Sequence, residues 1–138
     1  MGHEMKTIDI KKARCVVIPS IAVSMIKEWS SISMSMHLER FENMVSELKI
    51  CGEIVNFVRH KPTIDLLVKH VGRSDIRSGF EYVIEPGDVI YVVGLATRTQ
   101  VSGADVAVEP KDLLIYKVWV DVVAPTAEKA LREGWIEM

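Results

Sequence analysis

The run LLIYKVWVDVV at 113–123 constrains this chain more than any other stretch. Its β-branched and aromatic residues suit a pleated, half-buried surface, and its length reads as one long strand. Two further runs, FEYVI at 80–84 and VIYVVGLA at 89–96, flank Glu85-Pro86-Gly87-Asp88. That is the turn chemistry of a β-hairpin. Strands of this length exclude an all-helical fold.

Shorter signals fill in the rest. CVVIP at 15–19 predicts a buried strand ending at Pro19. Ile21, Met25 and Trp29 share a helical face, so IAVSMIKEW predicts a short helix with Ser20 as its N-cap. SISMSMH at 31–37 alternates polar and apolar, as a half-buried strand does. HLERFENMVSEL at 37–48 places Leu38, Phe41, Met44, Val45 and Leu48 at helical spacing. The stretch at 50–58 fits either a strand or a turn of helix. From Pro62 the residues Ile64, Leu67, Val68 and Val71 form a stripe that ends at Gly72, predicting a helix over 62–71. PTAEKALREGW at 125–135 predicts a last helix opened by Thr126. Residues 1–13 read as an arm, disordered or an added strand, and 14–138 as one domain. The fold class expected is α/β, a mixed sheet of about five strands with helices packed on it.

At 138 residues and 49% hydrophobic content the chain can bury a core without disulfides or metal. Cys15 and Cys51 each lie in an apolar stretch and read as buried free thiols of a reducing compartment. No CxxC or HExxH spacing occurs, and His3, His37, His60 and His70 do not cluster with the cysteines, so a zinc site is not expected. The methionines at 25, 34, 36 and 44 read as core filler, and Trp29, Trp119 and Trp135 as core or interface. A polar start and the absence of any apolar run of about 20 residues predict neither a signal peptide nor a membrane span, and a cytoplasmic protein. A net charge of −2 gives no field for duplex nucleic acid.

The likeliest chemical site is Arg59-His60-Lys61-Pro62-Thr63, at the start of the 62–71 helix. The first N–H groups of a helix have no intrahelical partner and the dipole is positive there, so Thr63 and Ile64 are expected to offer free N–H groups to a phosphate or carboxylate. Between Asn56 and Arg77 five basic residues face two acidic ones, a local balance of +3. His60 can exist in both protonation states near neutrality and so can give a proton to a leaving oxygen. A basic helix start is common, however, and alone it fits an ordinary solvated cap better than a site. Arg98 follows an apolar strand and can clamp a phosphate bidentately, with Gln100 in the same polar loop. No GxGxxG, P-loop, GxSxG or paired-carboxylate motif is present.

In order, these pieces resemble a known family. CVVIPSIAVSMI gives a strand and a polar-started helix; His60-Lys61-Pro62-Thr63-Ile64-Asp65-Leu66-Leu67 opens a helix that closes at Gly72. Asp88 then precedes the apolar YVV strand that delivers Arg98, and a late strand carries YKVWV. Over roughly 14–122 the chain is similar to the viral ring nucleases, anti-CRISPR proteins directed against type III systems. The resemblance implies a homodimeric α/β protein that binds cyclic tetra-adenylate across its two-fold axis and cuts it to linear products with no metal and no cofactor. It implies that a ribose 2′-OH attacks the adjacent phosphorus while His60 protonates the departing 5′-oxygen. It assigns Arg98 to the phosphate, Thr63 to the histidine motif, and Ser20 and Ala22 to the loop that touches the ligand. Arg59 and Lys61 would add charge.

The chain departs from the family pattern in specific places. Val101 stands where the family has a catalytic glutamate, and Arg59 where it has a glycine. Ser78-Gly79 replaces an Asn-Arg pair, the segment before the last long strand is too short for the usual helix, and the tail at 125–135 has no counterpart. Three readings therefore stand: a ring nuclease, a protein that binds a cyclic oligonucleotide without cutting it, and an interaction module whose basic helix start meets an acidic partner.

Overall fold

The long strand predicted at 113–123 is the longest strand of the sheet among the described residues. A computed structural model describes residues 9–96 and 107–134. In chain order the elements are β1 (Arg14–Ile18), a 3-10 turn (Val23–Ile26), β2 (Trp29–Glu39), α1 (Phe41–Ile50), β3 (Glu53–Asn56) and α2 (Lys61–Val71). There follow β4 (Arg77–Ser78), β5 (Val89–Leu95), a short 3-10 turn (Pro110–Asp112), β6 (Leu113–Pro125) and α3 (Ala127–Arg132). The strand order is β2-β6-β5-β1-β3-β4. β1 is parallel to β3 and β5, β3 is parallel to β4, and β6 is antiparallel to both β2 and β5. The class is the one expected, a mixed sheet with helices packed on it, with six strands among the described residues rather than about five.

Strand β1 is buried on both faces. Side chains alternate along a strand, so Cys15 and Val17 of β1 enter one cluster, with Phe41, Met44 and Leu48 of α1 and Leu66, Leu67 and Val71 of α2. Val16 and Ile18 enter the other, with Tyr82, Ile84, Ile90 and Val118. This explains the near-continuous apolar reading of CVVI. Ala13 is buried and Ile10 packs on the first cluster, so at least 9–13 of the expected arm belongs to the domain.

Several expectations need correction. Residues 80–84 form no strand and there is no hairpin, because both edges of β5 are already occupied by β1 and β6. The segment instead covers the second cluster: Ile84 N–H donates to the Met25 carbonyl at 2.8 Å, and Trp29 Nε1–H donates to the Ile84 carbonyl at 2.7 Å. The turn itself does form, with the Asp88 N–H donating to the Glu85 carbonyl at 3.2 Å, but the Asp88 side chain is buried and accepts both Arg14 Nε at 2.9 Å and Arg14 Nη2 at 2.6 Å.

The helix expected over 21–29 shrinks to a single 3-10 turn whose N-cap position is Ala22, not Ser20. Trp29 is claimed by β2, which pairs with β6 over its length. The same pairing takes 37–39 from the next helix, so α1 starts at Phe41 and Glu39 accepts the Arg40 N–H at 2.9 Å. The ambiguous 50–58 stretch contains β3. Of the methionines, Met44 is in the core and Met25 and Met34 pack against it, whereas Met36 is exposed. Trp29 is buried and Trp119 is half-buried, stacked on His37 at 4.7 Å. The last helix forms with the expected Thr126 cap, whose Oγ1 accepts the Lys129 N–H at 3.2 Å, but it is shorter than the 125–135 expected and spans Ala127–Arg132; Trp135 lies outside the described residues.

Candidate functional site

The C-terminal ends of β1, β3 and β5 lie side by side because the three strands are parallel. In open sheets of this kind the crevice beyond those ends is the usual ligand site. Here it is a cleft of about 290 Å³ lined by Pro19 after β1, Val58 to His60 and Thr63 after β3, and Val93 to Leu95 of β5.

The chain leaving β3 is pinned by its own side chains. Asn56 is buried; its Oδ1 accepts the Val58 N–H at 3.0 Å and its Nδ2 donates to the Val58 carbonyl at 3.2 Å. Phe57 N–H donates to the Val17 carbonyl at 2.8 Å. These bonds fix the backbone from which Arg59 and His60 project. No motif in the sequence points to Asn56. Its signal is an Asx-type turn residue closing a strand.

His60 occupies the N-cap position of α2, with φ −69° and ψ 109°, yet its ring caps no helix N–H. Its Nδ1 lies 2.8 Å from Oγ1 of Thr63, which is buried. The Ile64 N–H, expected to be free, donates to the His60 carbonyl at 3.0 Å, and Pro62 has none to offer. Lys61 and Thr63 therefore carry the first-turn N–H groups of the helix start. The opposite end closes as predicted, with Gly72 in the left-handed conformation at φ 70°.

The charge around the site is narrower than the +3 balance suggests. Arg73 is paired with Asp75 at 2.6 Å, Arg77 with Glu53 at 2.6 Å, and Lys61 with Asp65 at 3.1 Å. Lys69 and Arg73 lie toward or beyond the far end of α2, about 15 Å away at roughly 1.5 Å per residue. Arg59 Nη2 donates to the Gly79 carbonyl at 2.5 Å, and its guanidinium lies 4.8 Å from the Phe80 ring centroid. Among the described residues lining the cleft, Arg59 and His60 are the ionisable ones and no carboxylate is present.

The structure thus brings His60, Thr63 and Arg59 together. Lys61 is adjacent but exposed and tied to Asp65. Ser20 is exposed just past Pro19, and Ala22 is half-buried with its N–H donating to Met25 Sδ at 3.4 Å; neither lines the cleft. Arg98, Gln100 and Val101 lie outside the described residues. Cys15 and Cys51 are buried free thiols, and Arg73 Nη1 lies 3.6 Å from the Cys51 sulfur. Among the described residues no helix is long and apolar enough to cross a membrane.

No family model and no curated protein matches the sequence. The fold does have a solved counterpart: the chain is similar to B116 of Sulfolobus turreted icosahedral virus, with a TM-score of 0.57 and 17% identity over 78% of this chain and 98% of that one. At that identity the likeness is one of fold, and it covers nearly the whole of the viral protein.

Proposed function

We propose that the cleft binds a phosphodiester of a cyclic oligoadenylate and that His60 catalyses its cleavage to linear products. The observation that carries this reading is the contact between His60 Nδ1 and the buried Thr63 Oγ1, at the mouth of a cleft where three parallel strands end. With Nδ1 occupied by Thr63, Nε2 is the ring nitrogen that serves a ligand. In the proposed reaction a ribose 2′-oxygen bonds to phosphorus as the bond to the 5′-oxygen breaks. His60 gives its proton to that oxygen, and the 2′-OH proton passes to solvent. A helix start alone stabilises an anion by about 0.3–1 kcal/mol, so the Arg59 charge must carry most of the recognition, and His60 acts on the proton.

A dimer fits this ligand, because a symmetric ring can lie on a two-fold axis and meet two copies of the site. Met36, Leu38 and Leu114 leave an exposed apolar strip across β2 and β6, and Leu95 of the cleft is itself 40% exposed. Such a strip suits contact with a second copy. The fold likeness to a viral protein supports a viral setting, in which destroying this messenger would blunt type III CRISPR signalling.

One observation favours a second reading, binding without turnover: among the described residues no carboxylate lines the cleft. Incubating the protein with cyclic tri-, tetra- and hexa-adenylate and separating the products by chromatography distinguishes the two. Linear products from one ring size support cleavage; tight binding with the ring recovered intact supports sequestration. No binding of any ring removes both readings and leaves the interaction module.

A further inference from the structure

Phe80 is 89% exposed, the most exposed of the large apolar side chains of the described residues. Single exposed apolar residues are ordinary, but this one sits on a backbone held from several directions. Gly79 N–H donates to the Asn56 carbonyl at 2.9 Å, and the Gly79 carbonyl accepts Arg59 at 2.5 Å. A Cβ at Gly79 would overlap the Phe57 ring, so the glycine lets the segment lie this close to that ring. Three residues on from Gly79, Tyr82 is buried in the second cluster. The ring of Phe80 is therefore presented to solvent from a fixed base. The Arg59 guanidinium lies 4.8 Å from its centroid, and His60 is the next residue along the chain from Arg59.

A planar aromatic with a cation over it, beside a phosphate-type site, has the chemistry that single-stranded nucleic acid recognition uses: bases stack on aromatic and guanidinium planes while cations take the backbone. We propose that Phe80, together with Arg59, is the stacking platform for a purine base of the ligand whose phosphate lies at His60, an inference that rests on the nucleotide reading of the cleft. Arg59 then has two tasks, holding the Gly79–Phe80 backbone and bridging the base to the phosphate. The platform selects purine over pyrimidine rings because stacking grows with ring area.

The test uses the full chain in the His60→Ala background, so that ligand is not consumed, with fluorescently labelled cyclic tetra-adenylate and cyclic tetra-uridylate as probes. The parent binds the adenylate more tightly than the uridylate. Phe80→Ala weakens adenylate binding by about tenfold or more, with an unchanged thermal midpoint because the side chain is exposed. Phe80→Trp retains the affinity, and its added indole fluorescence is quenched as the adenylate binds. If Phe80→Ala binds as the parent does and the added indole signal of Phe80→Trp does not move, the stacking proposal is overturned and the phosphate reading stands. If the parent binds neither ring, both fall together.

Discussion

His60 Nδ1 lies 2.8 Å from Oγ1 of Thr63, and the threonine is buried while the histidine is exposed. The packed member of the pair therefore orients the exposed one. In the imidazolium form Nδ1–H donates to the threonine oxygen, and Nε2–H is left as the acid. Thr63→Val keeps the shape and removes the hydroxyl. It is expected to slow cleavage about 10- to 100-fold, the scale of a misplaced catalytic group, while ligand affinity changes little. Thr63→Ser restores most of the rate. Single-turnover rates beside equilibrium binding check this; equal losses in rate and affinity would show a merely structural role.

Arg14 and Asp88 form a two-bond ion pair that ties β1 to the start of β5, and Tyr82 O–H donates to the same carboxylate at 2.5 Å. Removing one member leaves a buried charge uncompensated. Arg14 is about one-third exposed, so water offsets part of the loss. Arg14→Ala is expected to cost about 2–3 kcal/mol, below the full penalty for a buried pair. Urea unfolding measures it, and a cost under about 0.5 kcal/mol, the ordinary scale of a surface change, would show the pair to be idle.

Gly79 approaches the Phe57 ring so closely that Gly79→Ala must move one of them. The expected cost is about 1–3 kcal/mol, with weakened ligand binding because Phe80 moves too. Phe57→Leu in the same chain makes room and recovers part of both. A double-mutant cycle of stability and affinity checks this, and strictly additive effects would contradict it.

Burial, then the neighbouring carboxylates of Glu47 and Asp88, push the hydroxyls of Tyr91 and Tyr82 far above the usual tyrosine range. The folded state favours the neutral form, so this contribution is complete below about pH 10, where the unfolded chain is also neutral. It is lost as pH rises above that, because the unfolded chain ionises first, by up to about 1.4 kcal/mol per group per pH unit. Denaturant unfolding at about pH 9 and pH 11, either side of the ordinary tyrosine value, should show the fall. Tyr91→Phe should be less stable at the lower pH but lose less between the two. Tyrosinate absorbance from this buried pair should appear only on unfolding.

The parts of the fold legible in the sequence were those set by local pattern. The stripe from Ile64 to Val71 ending at Gly72, the β-branched run at 113–123 and the alternation at 31–37 each state their own structure. Choices between long-range partners were not legible. Glu85-Pro86-Gly87-Asp88 has turn chemistry, but which strand lies beside β5 is decided by β1 and β6, and Asp88 answers to Arg14, 74 positions away. Ser20 had the right chemistry for a cap, yet Trp29 belongs to β2, paired with β6. At the site, His60 and Thr63 were legible because a spacing of three residues brings them to one turn of helix. Asn56 and Gly79 were not, since their roles depend on β3 and the 77–80 segment lying together.

The central claim is that His60 gives the proton that releases the 5′-oxygen. Its most direct measurement is the single-turnover rate of cleavage of labelled cyclic tetra-adenylate, with a chelator present, for the wild type and His60→Ala. A general acid supplies about 10²- to 10⁴-fold. Linear products are expected from the wild type, with a rate at least about 100-fold lower for the variant, which still binds the ring. Cleavage by His60→Ala at the wild-type rate would contradict it.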